Sequence, residues 1–293
     1  MLATNRATDV NSQANGQNPP YGADINFYLK APARVEISIV GPDGQPVRKL
    51  SQPGQAGINR VWWDLRYDTA TPVRLRTRPP GEPWVTVGPE GWRLLASYGP
   101  FRGNATVEPG PYTVKLSAGG KELSAPLQVL RDPKSVGSEA QIKEQVAFML
   151  QIRSELNEMA EMINRLEWIR KQSETLQAML RDDPKQAAAL KEARELEQKA
   201  IAVESDMVDV HLTGRPEDSF RHPMRLIEKL GYLGSILDNN WGGGGSDLPP
   251  TDSEIAVHKE LQQQMQKCKR SYAEFMNAAA PALNSLGTKL AQP

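Results

Sequence analysis

The chain has 293 residues, enough for two domains of ordinary size. Its 35 Lys and Arg balance its 35 Asp and Glu, so no global field draws it to nucleic acid or to an anionic membrane. A single cysteine, Cys268, excludes an intrachain disulfide, and no apolar run approaches the ~20 residues that a membrane helix needs.

The first 20 residues are polar and lack an apolar stretch, so they read as a linker without a signal peptide. Strand signals follow. Ile25, Phe27 and Leu29 alternate with polar or small neighbours, as do Val35, Ile37 and Ile39, which puts each set on one face of a half-buried sheet. Gly41-Pro42-Asp43-Gly44 makes a turn, and Val47 to Leu50 reads as the returning strand. Asn59 to Leu65 forms another strand, and Tyr112, Val114 and Leu116 another, with Gly119-Gly120 closing a hairpin into Leu123 to Val129. Short strands with Gly/Pro turns predict an antiparallel, immunoglobulin-like β-sandwich over residues 21–132. Between Arg66 and Glu108 the pattern breaks into Pro, Gly, Arg and Trp, a stretch too long for a simple connection. It is an excursion from the sandwich.

Composition changes near Asp132-Pro133 to the helix-forming set of Glu, Lys, Gln, Ala, Leu and Met. Met149, Ile152, Leu156, Met159, Ile163 and Leu166 step by three and four, predicting a helix from Ser138 to Arg181. The pattern recurs at Ala193, Leu196, Ala200, Val203, Met207 and Val210, and at Leu226, Leu230, Leu233 and Leu237. It recurs last at Val257, Leu261, Met265, Cys268, Tyr272 and Phe275. Ser138 with Gln141 and Thr251 with Glu254 have capping-box spacing, and Asp183-Pro184 reads as an N-cap followed by a proline. Residues 133–293 are therefore expected to form an elongated antiparallel four-helix bundle. Gly242 to Ser246 and Pro249-Pro250 read as a flexible connection between its last two helices.

Few residues suggest chemistry. His211, His222 and His258 lack a second ligand at metal spacing and read as surface or capping histidines. Cys268 lies on the apolar stripe of the last helix and reads as a small buried hydrophobe. Asp64, after Trp62-Trp63, has no evident carboxylate partner and reads as a turn-binding residue. No GxSxG, HExxH or Walker pattern occurs, so neither a catalytic set nor a cofactor or metal site is expected. One cluster stands out in the excursion: Arg74, Arg76, Arg78, Trp84, Trp92, Arg93 and Tyr98. Arg and Trp are enriched at interface hot spots, and the same mixture stacks sugars. The competing reading is that the tryptophans plug the sandwich edge while the arginines are solvated.

Four stretches carry a resemblance. They are Asn18-Pro19-Pro20-Tyr21-Gly22-Ala23 into Ile25-Asn26-Phe27-Tyr28-Leu29, Asn59 through Tyr67 with Trp62-Trp63-Asp64, Pro109-Gly110-Pro111-Tyr112, and Ser219-Phe220-Arg221-His222-Pro223-Met224. Together they resemble the C-terminal region of bacterial sortilin-like, BNR-repeat proteins, often labelled glycosyl hydrolases. The Gly57-x-Asn59-x-x-x-Trp63-Asp64 and Pro109-Gly110-x-Tyr112 pieces are also similar to the Ig-like domain of flagellar hook-cap proteins. The resemblance implies a region that follows a β-propeller, and export to the periplasm or outside. The propeller carries the hydrolytic residues in sialidase-like relatives, and this sequence has no Ser-x-Asp-x-Gly-x-Thr-Trp box. The expectation is a non-catalytic accessory module that docks on a propeller partner; the alternatives are carbohydrate binding through Trp84, Trp92 and Tyr98 and a hydrolase by family label only.

Overall fold

The computed structural model describes residues 21–95, 105–215, 217–238 and 247–290, with side chains as far as residue 287. It is a mixed fold in which strands are followed by helices. By internal contacts the chain divides into two compact units. The first comprises Met1–Thr69, Gly103–Gln151 and Ser235–Pro250, and the second Ala70–Arg102, Ile152–Gly234 and Thr251–Pro293. The composition shift at Asp132-Pro133 thus marks where strands give way to helices, whereas most of the excursion is grouped with helical residues.

In the first unit, strands β1 (Ala23–Leu29), β2 (Ala33–Val40), β3 (Pro46–Gly54) and β4 (Gly57–Trp63) follow in sequence. β1 pairs with β4 in an antiparallel two-stranded sheet. Strands β7 (Gly110–Ala118) and β8 (Lys121–Val129) join β3 and β2 in a four-stranded antiparallel sheet of order β3-β2-β7-β8. The alternation that predicts the strands also sets their burial. Val35, Ile37 and Ile39 of β2 are buried, as are Ile25, Leu29, Val61 and Trp63 of the other sheet, all in one core cluster. Trp63 is its largest fully buried side chain. Its Nε1–H donates to the carbonyl of Arg66 at 2.9 Å, and Tyr112 meets its ring edge-on at a centroid distance of 5.6 Å.

Close approach fixes one glycine here. A Cβ on Gly22, at φ 123°, would stand 2.0 Å from the carbonyl oxygen of Trp63, so only glycine lets β1 begin there. Asp64 is the turn residue expected from the sequence: its Oδ1 accepts the Arg66 N–H at 3.3 Å beside Leu65, whose φ is 56°. In the same unit Arg66 donates to both carboxylate oxygens of the buried Asp238, at 2.8 and 2.6 Å.

Helix α1 (Glu139–Leu180) begins at the capping box read from the sequence. Ser138 N–H donates to Gln141 Oε1 at 2.9 Å, and Gln141 N–H donates back to Ser138 Oγ at 3.3 Å. Asp183 accepts the Lys185 N–H and opens a single 3-10 turn, Pro184–Gln186, which runs into α2 (Ala187–Ser205). A four-residue helix, α3 (Asp218–Arg221), precedes α4 (Leu226–Asp238), and the Thr251/Glu254 box starts α5 (Asp252–Leu290). Three positions of the expected stripes are not buried. Val203 and Tyr272 are half-buried, and Val257 is 50% exposed because the adjacent His258 occupies the inward position. The surface reading of His258 is therefore corrected. It is buried, with its Nε2 2.6 Å from Glu155 Oε2, and Gln262 holds the other oxygen of that carboxylate at 2.7 Å. No described helix is long and apolar enough to cross a membrane.

Candidate functional site

The excursion of the second unit carries short strands β5 (Arg74–Leu75) and β6 (Arg93–Leu94), paired antiparallel. So short a ribbon cannot satisfy its own backbone. Helix α1 supplies what is missing. Asn157 Oδ1 accepts the Thr71 N–H at 2.7 Å; Asn164 accepts the Arg74 N–H at 2.7 Å and donates to the Pro72 carbonyl at 3.0 Å. Glu167 Oε2 accepts the N–H groups of both Arg76 and Thr77, the latter at 2.8 Å, while its Oε1 accepts the Thr77 hydroxyl at 2.8 Å. Positions 157, 164 and 167 are spaced by seven and three, so they share one face of the helix. That face is a polar ladder along which residues 71–77 are laid.

The ladder ends in a buried ion cluster. Arg170 donates to Glu167 at 2.6 Å and to Glu204 of α2 at 2.8 Å, and the three side chains are 2%, 1% and 0% exposed. Burial, followed by the neighbouring Glu167 charge, pushes the Glu204 carboxyl well above its ordinary range. Beside it, Arg93 donates to the carbonyls of Thr77 and Leu212, at 3.3 and 2.7 Å. Arg93 is thus a structural tie of the excursion.

The remaining arginines and tryptophans pair with one another. Arg74 lies over the Trp92 ring at 5.2 Å, Arg76 over Trp168 at 4.0 Å and Arg215 over Trp84 at 4.0 Å. Arg74 is exposed, Trp84 and Trp168 are about half exposed, and Arg76 is buried apart from its stacking contact. Arg78 lines a cleft of about 450 Å³ with Pro79, Pro80 and Pro83, closed by Arg170, Glu174 and Glu197. Tyr98 lies outside the described residues. Of the residues singled out from sequence, Arg74, Arg76, Trp84 and Trp92 therefore stand in cation–π pairs, Arg78 faces the cleft and Arg93 is internal. Sequence reading missed Trp168 and Arg215, which complete two of the pairs from distant segments. It also missed Asn157, Asn164 and Glu167, whose only signal was their polar character on one helical face.

A second assembly joins histidines that the sequence keeps apart. The carboxylate of Asp209, buried, meets His211 Nδ1 at 3.1 Å with one oxygen and His222 Nδ1 at 3.2 Å with the other, and the two imidazoles stack with centroids 6.2 Å apart. Hydrogen bonds from His211 hold the Asp209 carboxyl below its usual range against its burial. Asp218 fixes the neighbouring turn by accepting the N–H groups of Thr213, Gly214 and Arg215, which sets Arg215 over Trp84. Among the described residues, no group of three or more His, Cys, Asp or Glu is arranged to hold a metal ion. Cys268 is buried, and burial raises its thiol.

The chain matches no protein-family model, no curated protein and no solved structure. What the site can do must be argued from its geometry. The Arg–Trp pairs place flat cationic and aromatic surface beside a backbone that helix side chains hold over residues 71–77. Each of the three indoles already has a guanidinium over its ring, on a surface a sugar would otherwise stack against.

Proposed function

We propose that this chain is a non-catalytic accessory module that mediates protein interaction, with a β-propeller as its partner. The observation that carries the reading is the clamped excursion. Asn157, Asn164 and Glu167 fix residues 71–77, whose Arg74 and Arg76 stack on Trp92 and on Trp168 of α1, while Arg215 stacks on Trp84. Rigid Arg and Trp surface loses little conformational entropy on binding, which is what interface hot spots require.

The propeller enters through the resemblance to the C-terminal region of sortilin-like, BNR-repeat proteins, and with it the periplasm or cell exterior as the compartment. Within that proposal the first unit is an Ig-like sandwich. Its support is the Tyr112 hydroxyl donating to the Glu108 carbonyl at 2.8 Å, four residues upstream, beside a fully buried tryptophan. The four longer helices are read as the bundle, supported by the Arg170–Glu204 and His258–Glu155 pairs that link α1 to α2 and to α5.

The class of partner is decided by one comparison. The purified chain is passed over an immobilised β-propeller, where one is encoded beside it, and over an array of neutral and acidic glycans. Retention on the propeller with no glycan signal is the expected result. Glycan binding that disappears in the Trp84→Ala and Trp92→Ala variants, with no retention on the propeller, would replace protein docking by carbohydrate recognition.

A further inference from the structure

Within the second unit, Glu167, Arg170 and Glu204 place two fully buried carboxylates on one guanidinium. A buried charge without a partner costs several kcal/mol, so the surplus negative charge has to be removed or matched. Arg93 adds a positive charge that reaches Glu167 and Glu204, but neither it nor Arg76 donates a side-chain hydrogen bond to the cluster. Arg93 directs its guanidinium to the carbonyls of Thr77 and Leu212, and the Arg76 guanidinium lies over Trp168. Glu197 of α2 adds further negative charge from nearby, and Glu174 of α1 is engaged with Lys171 at 3.3 Å. One oxygen of the cluster, Glu204 Oε1, is buried without a hydrogen-bond donor.

We propose that a proton is a structural ligand of this cluster, carried by Glu204 and shared toward Glu167, and that its loss unlatches the excursion bearing the Arg–Trp surface. The arrangement makes this a latch because Glu167 has two tasks. It accepts the Arg76 and Thr77 backbone N–H groups and the Thr77 hydroxyl, and it is paired with Arg170. While Glu204 is neutral, Arg170 serves Glu167 alone as counter-ion and Glu167 is free to clamp the backbone. When Glu204 ionises, two like charges compete for one guanidinium in a dry site, and the repulsion falls on the residue that holds residues 76 and 77. The cleft whose wall includes Arg170, Glu174 and Glu197 adjoins the cluster through Arg170. Its direction follows from linkage: a carboxyl that binds its proton more tightly when folded stabilises the clamp at low pH and loses it as pH rises through the folded value. The inference rests on reading the excursion as the interaction surface only for its consequence. The latch itself stands or falls without a partner.

The test is amide hydrogen exchange at Arg76 and Thr77, corrected for intrinsic exchange, in the intact chain. Protection at both amides is expected to fall by up to about tenfold for each pH unit as pH rises from the ordinary carboxylate range toward the raised folded value of Glu204, and to level off above it. Glu204→Gln, which keeps the shape and cannot ionise, should hold that protection flat. A parallel fall in wild type and Glu204→Gln, or no fall in either, overturns the proposal. If Glu204→Gln does not fold, the carboxyl-carbon NMR shift of Glu204 in the wild type decides. A protonated shift at about pH 7 supports the latch, and an ionised one there overturns it.

Discussion

Replacing Glu167 by alanine is expected to destabilise the second unit by about 3–5 kcal/mol, the cost of breaking a buried ion pair from one side. The substitution strands more than Arg170. The Arg76 and Thr77 N–H groups and the Thr77 hydroxyl lose their acceptor together, in a site where water does not replace it. Urea unfolding followed by the helical circular dichroism signal measures the change. Under the proposed latch Glu204→Gln should differ sharply: while the proton is held it should cost about 1 kcal/mol or less, and as pH rises through the raised folded value it should become stabilising relative to wild type. Equal losses in the two variants would mean that both carboxylates are ionised and equally paired.

Trp63→Ala is expected to cost the first unit about 3–5 kcal/mol, the range for emptying a large aromatic site in a close-packed core. Trp63 is completely buried between the two sheets' side chains, and its loss also removes the donor to the Arg66 carbonyl and the edge contact with Tyr112. Trp63→Phe should recover most of the packing and still lose the indole hydrogen bond, a deficit of about 1–2 kcal/mol. Exchange of the β2 amides of Ile37 and Ile39 reads the effect within the unit. Trp62, one residue earlier, faces the other side of β4 and is only partly buried, so Trp62→Ala serves as the control.

The strands and long helices were legible because their signals are local. Period two placed Val35, Ile37 and Ile39 inward, and the serine and threonine boxes marked two helix starts to within a residue. The site was legible only by type. Arg74, Arg76, Trp84 and Trp92 stand out by composition, yet their partners Trp168 and Arg215 come from segments more than 70 residues away, where no spacing rule reaches. Glu167 and Glu204 look like solvated helix carboxylates because nothing in a linear pattern says which face an excursion will cover. His258 was missed for the same reason: a polar residue next to a valine loses the inward position in a hydrophobic pattern, and here a buried glutamate reverses that choice. The pairing of His211 with His222 through Asp209 depends on an irregular loop, where sequence periodicity is silent.

The central claim is that the excursion is a rigid docking surface for a propeller. It is tested most directly by titrating that propeller with wild-type and Trp84→Ala chains in a calorimeter. The account predicts at least a tenfold loss of affinity, about 1.4 kcal/mol or more, with an unfolding midpoint unchanged from wild type because Trp84 is half exposed. Equal affinity of the two chains for the propeller, with both folded, would contradict it.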